Sequence, residues 1–154
     1  MGTKRVGLAR TQALIENLKR ELTMGGSGLG GVTRPTKSVT STASLTAADS
    51  GKIITLTGTA FTLTLPGVSA AEGCYFDVIA GAAANYVISE DATVDTDVLT
   101  MVSVNAGSGG SAERDHAFTT ATLSAGAIGD RFQIYSNGTW WVLTAFANAA
   151  VAAA

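Results

Sequence analysis

The chain is poor in the residues that usually announce chemistry. Of 154 residues, one is cysteine, one is histidine and two are proline. A lone thiol, Cys74, closes no internal disulfide, which excludes a stapled secreted framework. Because Cys74 alternates with Phe76 and Val78, it reads as a core side chain. One His and one Cys also exclude a zinc centre of the usual His/Cys kind. Charged residues make up 14% and aromatics 6%; ordinary domains carry roughly 25% charge. No apolar run approaches the ~18 residues that span a bilayer. The basic N-terminus has no continuous apolar stretch behind it, so it does not read as a signal peptide.

What is present is Thr, Ser, Gly, Ala and Val, with a hydrophobic fraction of 46%. That suffices for a core and argues against wholesale disorder. The charge is segregated. Residues 1–37 hold seven basic side chains against two acids, +5, whereas the remainder holds three against ten, −7. Such asymmetry marks a tail with its own partner.

The tail contains KRVGLARTQALIENLKREL, in which Leu8, Ile15 and Leu22 recur every seven residues with Leu14 and Leu18 beside them. That period predicts an amphipathic helix over residues 4–24, supported by the i,i+4 pair Glu16–Arg20. Residues 25–36 are glycine-rich and read as a linker, with Pro35 favouring an extended path. The helix lacks the aromatics or dense arginines of a nucleic-acid element and the Trp or Phe of a membrane-surface helix. A protein–protein attachment element is expected instead, with Leu8, Ile15, Leu18 and Leu22 as its apolar row and Lys4, Arg5 and Arg10 as its cations. A short three-stranded coiled coil fits the same spacing, and a helix this short needs a partner.

From Lys37 the period becomes two, the signature of strands. Strands are expected at 52–57 and 60–65, joined as a hairpin through Gly58-Thr59 and closed by Pro66-Gly67. Further strands read at 73–80, 85–89, 98–104, 117–123, 129–136 and 139–147. Asn137-Gly138 marks a second hairpin. Consecutive Trp140 and Trp141 should face opposite sides, one core and one exposed. Residues 105–116 read as a polar loop and residues 148–154 as a frayed Ala-rich tail. The expected fold is mainly β: an antiparallel β-sandwich or barrel, jelly-roll-like, over residues 37–147.

Candidate chemistry is sparse. Gly26-x-Gly28-x-x-Gly31 spells a dinucleotide fingerprint, but a helix precedes it where a strand is required, so it reads as linker. His116, flanked by Asp115 and Glu113, has no nucleophile motif to serve. Glu90, Asp91, Asp95 and Asp97 form an acidic cluster without the glycine and terminal glutamate of an EF-hand, and read as a solvated loop. Asn137-Gly138-Thr139 fits a glycosylation sequon that the hairpin already explains. No catalytic, cofactor or metal residues are expected, and no enzyme.

Several segments together resemble a known group of proteins. KRVGLARTQALIENLKREL is similar to the N-terminal segment of virion structural proteins from tailed phages of marine cyanobacteria. LTAADSGK at 45–52, Thr64-Leu65-Pro66, Gly73 with Phe76, Gly129-Asp130-Arg131-Phe132 and SNGTWWV at 136–142 resemble, in that order, the small β-domains of phage capsid decoration proteins, head fibres and tail fibres. The resemblance implies a non-enzymatic structural protein on the exterior of the phage particle, commonly a homotrimer and without a cofactor. The partner it implies is the major capsid protein or another virion protein, with no specific nucleic acid and no membrane. Capsid decoration (cement) is the leading expectation and a tail-fibre or baseplate-associated receptor-binding module the alternative.

Overall fold

A computed structural model describes Gly7 and residues 10–17, 33–108 and 111–154. The chain divides into two compact units, Met1–Pro35 and Thr36–Ala154. In the first, residues 10–17 are α-helical, and the Thr11 hydroxyl donates back to the Gly7 carbonyl at 2.9 Å.

Among the described residues of the second unit there are twelve strands: β1 (Thr36–Val39), β2 (Ala43–Ser44), β3 (Ile53–Leu56), β4 (Phe61–Thr64), β5 (Tyr75–Ala80), β6 (Tyr86–Ser89), β7 (Leu99–Asn105), β8 (Ser111–Phe118), β9 (Thr120–Leu123), β10 (Arg131–Ser136), β11 (Trp141–Ala147) and β12 (Val151–Ala153). They form a seven-stranded sheet, β1-β3-β5-β10-β11-β7-β8, and a five-stranded sheet, β12-β9-β6-β4-β2. The two pack as a sandwich. The expected mainly-β sandwich with an N-terminal helix is therefore borne out.

The sheets are mixed, which corrects the antiparallel expectation. The chain winds from one sheet to the other: β1, β3 and β5 pair in parallel in the first, and β2, β4 and β6 pair in parallel in the second. Parallel neighbours need a crossover of a dozen or more residues. Here each crossover runs through a strand of the opposite sheet, and the one from β1 to β3 adds a single 3₁₀ turn at Ala47–Asp49. After three such coils the antiparallel β10–β11 hairpin occupies the place between β5 and β7.

The segments 52–57 and 60–65 thus form no hairpin. They are β3 and β4 in different sheets, joined by a corner. A Cβ on Gly58 would stand only 2.0 Å from the Thr40 carbonyl oxygen, so the corner closes against backbone only with glycine there. The buried Tyr86 hydroxyl lies within hydrogen-bond reach of the carbonyls of Leu56 (3.2 Å), Gly58 (3.0 Å) and Ala82 (3.1 Å) and ties the corner to the next coil. Burial pushes its phenol pKa up.

Period-2 alternation fills the space between the sheets. Ile54, Leu56, Leu63, Leu65, Phe76, Tyr86, Ile88, Ile134 and Trp141 are all buried, each large apolar side chain contributing about 1.5–3 kcal/mol. The Phe76 and Trp141 rings lie 5.7 Å apart, and Trp141 Nε1 donates to the Pro66 carbonyl at 3.0 Å. Cys74 is buried in the same cluster, as its alternation implied.

Three other expectations are corrected. Residues 111–118 are not loop but an edge strand, paired antiparallel with β7. Residues 117–123 are not one strand: the chain leaves one sheet after Phe118 and enters the other at Thr120. The Ala-rich end is not frayed, since β12 pairs with β9 and buries Val151. Ladder hydrogen bonds are indifferent to side chain, so even alanines extend a sheet that offers them an open edge.

Candidate functional site

The strand least legible in the sequence frames the most distinctive surface. β8 reads SAERDHAF and is polar on both faces, so it has no core-directed alternation. Its register with β7 sets Thr100 opposite His116 and Val102 opposite Arg114. β11 runs along the other side of β7, with Val142 beside Thr100 and Thr144 beside Val102. Residues paired directly across strands share a face. Thr100, Val102, Val142 and Thr144 therefore form a patch of short β-branched side chains on the outer face of the seven-stranded sheet. Arg114 and His116 rise along one side of it. On the other side β10 places Tyr135, 47% exposed, beside Val142, and Gln133 beside Thr144. The result is a shallow cleft of about 490 Å³ lined by Thr100, Val102, Arg114, His116, Val142 and Thr144.

A β-bulge sets the direction of His116. The register shifts between Leu99 and Thr100, leaving Ala117 unpaired at φ +57°. Left-handed backbone is unfavourable for alanine, and bulges commonly re-aim a side chain beside a site. Here the extra residue lets Phe118 bury in the core while His116 stays on the outer face. The Thr100 hydroxyl donates to the Asp115 carbonyl at 3.1 Å and ties the strand down beside the bulge.

Trp140 packs against His116, which lines the cleft. Its ring centroid lies 4.4 Å from that of His116, tilted by 44°. The turn that carries it is built by Asn137, whose side-chain oxygen accepts from the backbone N–H groups of Thr139 (3.0 Å) and Trp140 (2.7 Å). The hairpin expected at Asn137-Gly138 is present, but only Gly138 has positive φ, at +85°. Trp141 is fully buried and Trp140 half-buried, which is the division that two consecutive tryptophans implied.

Charge is arranged unevenly around this face. Beyond residue 37 the chain holds only three basic side chains, Lys52, Arg114 and Arg131. Lys52 bonds Asp49 at 2.8 Å, whereas Arg114 and Arg131 both stand on the outer face of the seven-stranded sheet. Arg131 lies over the Phe146 ring, 5.0 Å from its centroid. Glu113 and Asp115 alternate with Arg114 along β8 and so point to the opposite face. An otherwise acidic body thus concentrates its arginines on one surface.

The acidic cluster is in part structural, whereas Asp97 is exposed as a solvated loop would be. Glu90 is buried, and its carboxylate accepts from the backbone N–H groups of Asp97 (3.1 Å) and Val98 (2.9 Å). Asp95 accepts from Val68 N–H at 2.8 Å. Asp91 accepts from the N–H and hydroxyl of Thr93, which lowers its pKa. Among the described residues, no group of three or more His, Cys, Asp or Glu could hold a metal ion.

Of the expected attachment residues, Arg10 and Ile15 lie on the helix and are exposed, Ile15 at 54% with its neighbour Leu14 at 69%. Lys4, Arg5, Leu8, Leu18 and Leu22, like the Gly26–Gly31 motif, lie outside the described residues. Comparison with known protein families, with curated proteins and with solved structures returns no match. The functional reading therefore rests on the geometry and the residues themselves.

Proposed function

We propose that this chain is a structural protein of a tailed-phage virion: a capsid decoration protein that binds the outside of the head as a homotrimer and stabilises it. The observation that carries the reading is a division of labour. The sandwich is self-contained, with no unsatisfied buried side-chain polar atom among the described residues. The separate N-terminal unit displays Leu14 and Ile15 on a helix. A helix with exposed apolar side chains gains stability by packing them against a partner. Lys4, Arg5, Leu8, Arg10, Ile15, Leu18 and Leu22 would grip it. A ligand that binds only the assembled shell stabilises that shell by linkage, and a trimer multiplies weak contacts. The reading needs no cofactor and no catalysis.

Deleting residues 1–31 tests it. The sandwich should stay folded by circular dichroism while binding to phage heads is lost. Wild-type occupancy of the truncated protein would overturn the role of the helix. The cleft at Trp140, His116 and Arg114 favours a second reading, a tail-fibre or baseplate-associated receptor-binding module. Electron microscopy of particles separates the two, since density at the tail tip and none on the head would replace the first reading by the second.

A further inference from the structure

From the outer face of the seven-stranded sheet we infer that the cleft over β7 and β11 beside β8 binds an acidic saccharide, with the sugar ring against Trp140 and its anionic group on Arg114. The ligand class rests on the cleft alone and stands whether the chain sits on a head or a tail.

Three independent features converge on that ligand. The floor of Thr100, Val102, Val142 and Thr144 is flat and low, because all four side chains are short and β-branched. It spans the neighbouring strands β7 and β11, with β8 along one side, and a sugar ring can lie flat on it. Aromatic groups neighbour its lining: Trp140, whose ring is tilted against that of His116, and Tyr135, paired with Val142 across β10 and β11. Ring C–H groups of a saccharide are weakly positive and pack on the negative face of an aromatic ring.

The charge points to an anion. Arg114 has no carboxylate directly across from it, since its partner on β7 is Val102. On β8 the same face carries Ala112 and His116. Asp77, the acid on the outer face of β5, is separated from Arg114 by β10, β11 and β7, a distance of about 19 Å at the usual strand spacing. A guanidinium presents a planar fork of donors that matches a carboxylate in two-point contact. The strained bulge at Ala117 holds the Arg114–His116 side of the cleft in place, as expected where geometry matters more than local stability.

The test is a titration of the full-length protein followed by ¹H–¹⁵N correlation spectra, with trigalacturonate as acidic probe and maltotriose as neutral control. Trigalacturonate should give saturable shifts at the Trp140 indole N–H and at the amides of Arg114, His116 and Thr144, with an affinity of about 1 mM. Arg114→Gln should weaken binding about tenfold, while Arg131→Gln, on the same face but outside the cleft, should leave it unchanged. Spectra of both variants report directly that the fold is kept. Absence of saturable shifts, or equal shifts from maltotriose that Arg114→Gln does not alter, would overturn the inference. So would shifts of the same resonances on raising protein concentration without saccharide, which would make this face a contact between copies of the chain.

Discussion

Asp49 offers a quantitative test of how the winding chain is held. It is 5% exposed and sits in the turn between β2 and β3. Oδ2 accepts from Lys37 Nζ at 2.8 Å and from Thr46 N–H at 3.1 Å, and Oδ1 accepts from Lys52 Nζ at 2.8 Å. One carboxylate therefore ties β1 to the start of β3 and caps the turn between them. Burial by itself would raise its pKa, but the bonds from Lys37, Lys52 and Thr46 outweigh it and hold the pKa well below the usual carboxylate range. The lysine side chains are 34% and 29% exposed, so solvent screens each pair. Each is taken as about 0.5–1 kcal/mol, and the capping bond as about 1 kcal/mol. Asp49→Ala should then cost about 2–3 kcal/mol, or roughly 10 °C in Tm for a domain of this size. Asp49→Asn keeps an acceptor for Thr46 and should lose about half as much. A pKa lower in the folded than in the unfolded state means the contribution is complete above the unfolded value of about 4 and is lost as pH falls below it. Urea denaturation from pH 7 to pH 2 should show a shallower acid limb for Asp49→Asn than for the parent. An unchanged midpoint for Asp49→Ala at pH 7, or an unchanged acid limb for Asp49→Asn, would refute the reasoning.

Other substitutions probe the remaining devices. Ala117→Gly relieves left-handed strain at the bulge and should stabilise by about 0.5–1 kcal/mol; destabilisation in thermal melts would argue against the bulge. Glu90→Ala strips the buried acceptor from the Asp97 and Val98 amides and should cost about 2–4 kcal/mol, with faster hydrogen exchange at both. Trp141→Ala removes the largest fully buried side chain and should cost about 3–5 kcal/mol, read as a lowered melting temperature by circular dichroism.

Strand positions were largely legible because alternation is a local property. Phe61 and Leu63 face the core from one side of β4 whatever β4 pairs with, and Tyr75–Ala80 alternates for the same reason. β8 was illegible because an edge strand exposed on both faces has no apolar period to read, and β12 because Val-Ala-Ala has little strand propensity of its own. The expected loop at 105–116 concealed Arg114 and His116. The only hint of their role was that these residues supply the one histidine and one of the three basic side chains beyond residue 37.

Taken alone, the sequence determined the β class, the basic helical segment ahead of the sandwich, the turn at Asn137-Gly138 and the opposite fates of Trp140 and Trp141, since each depends on neighbours a few residues apart. Tertiary structure decided which strands pair. Between β3 and β4 the chain turns a corner into the other sheet, because Gly58 permits close approach to Thr40 and Tyr86 gathers the corner carbonyls. It alone also decided that Thr100, Val102, Arg114, His116, Trp140, Val142 and Thr144 share one face. Those residues share no local pattern; they come together because β11 and β8 flank β7, and that order is settled by packing between the layers.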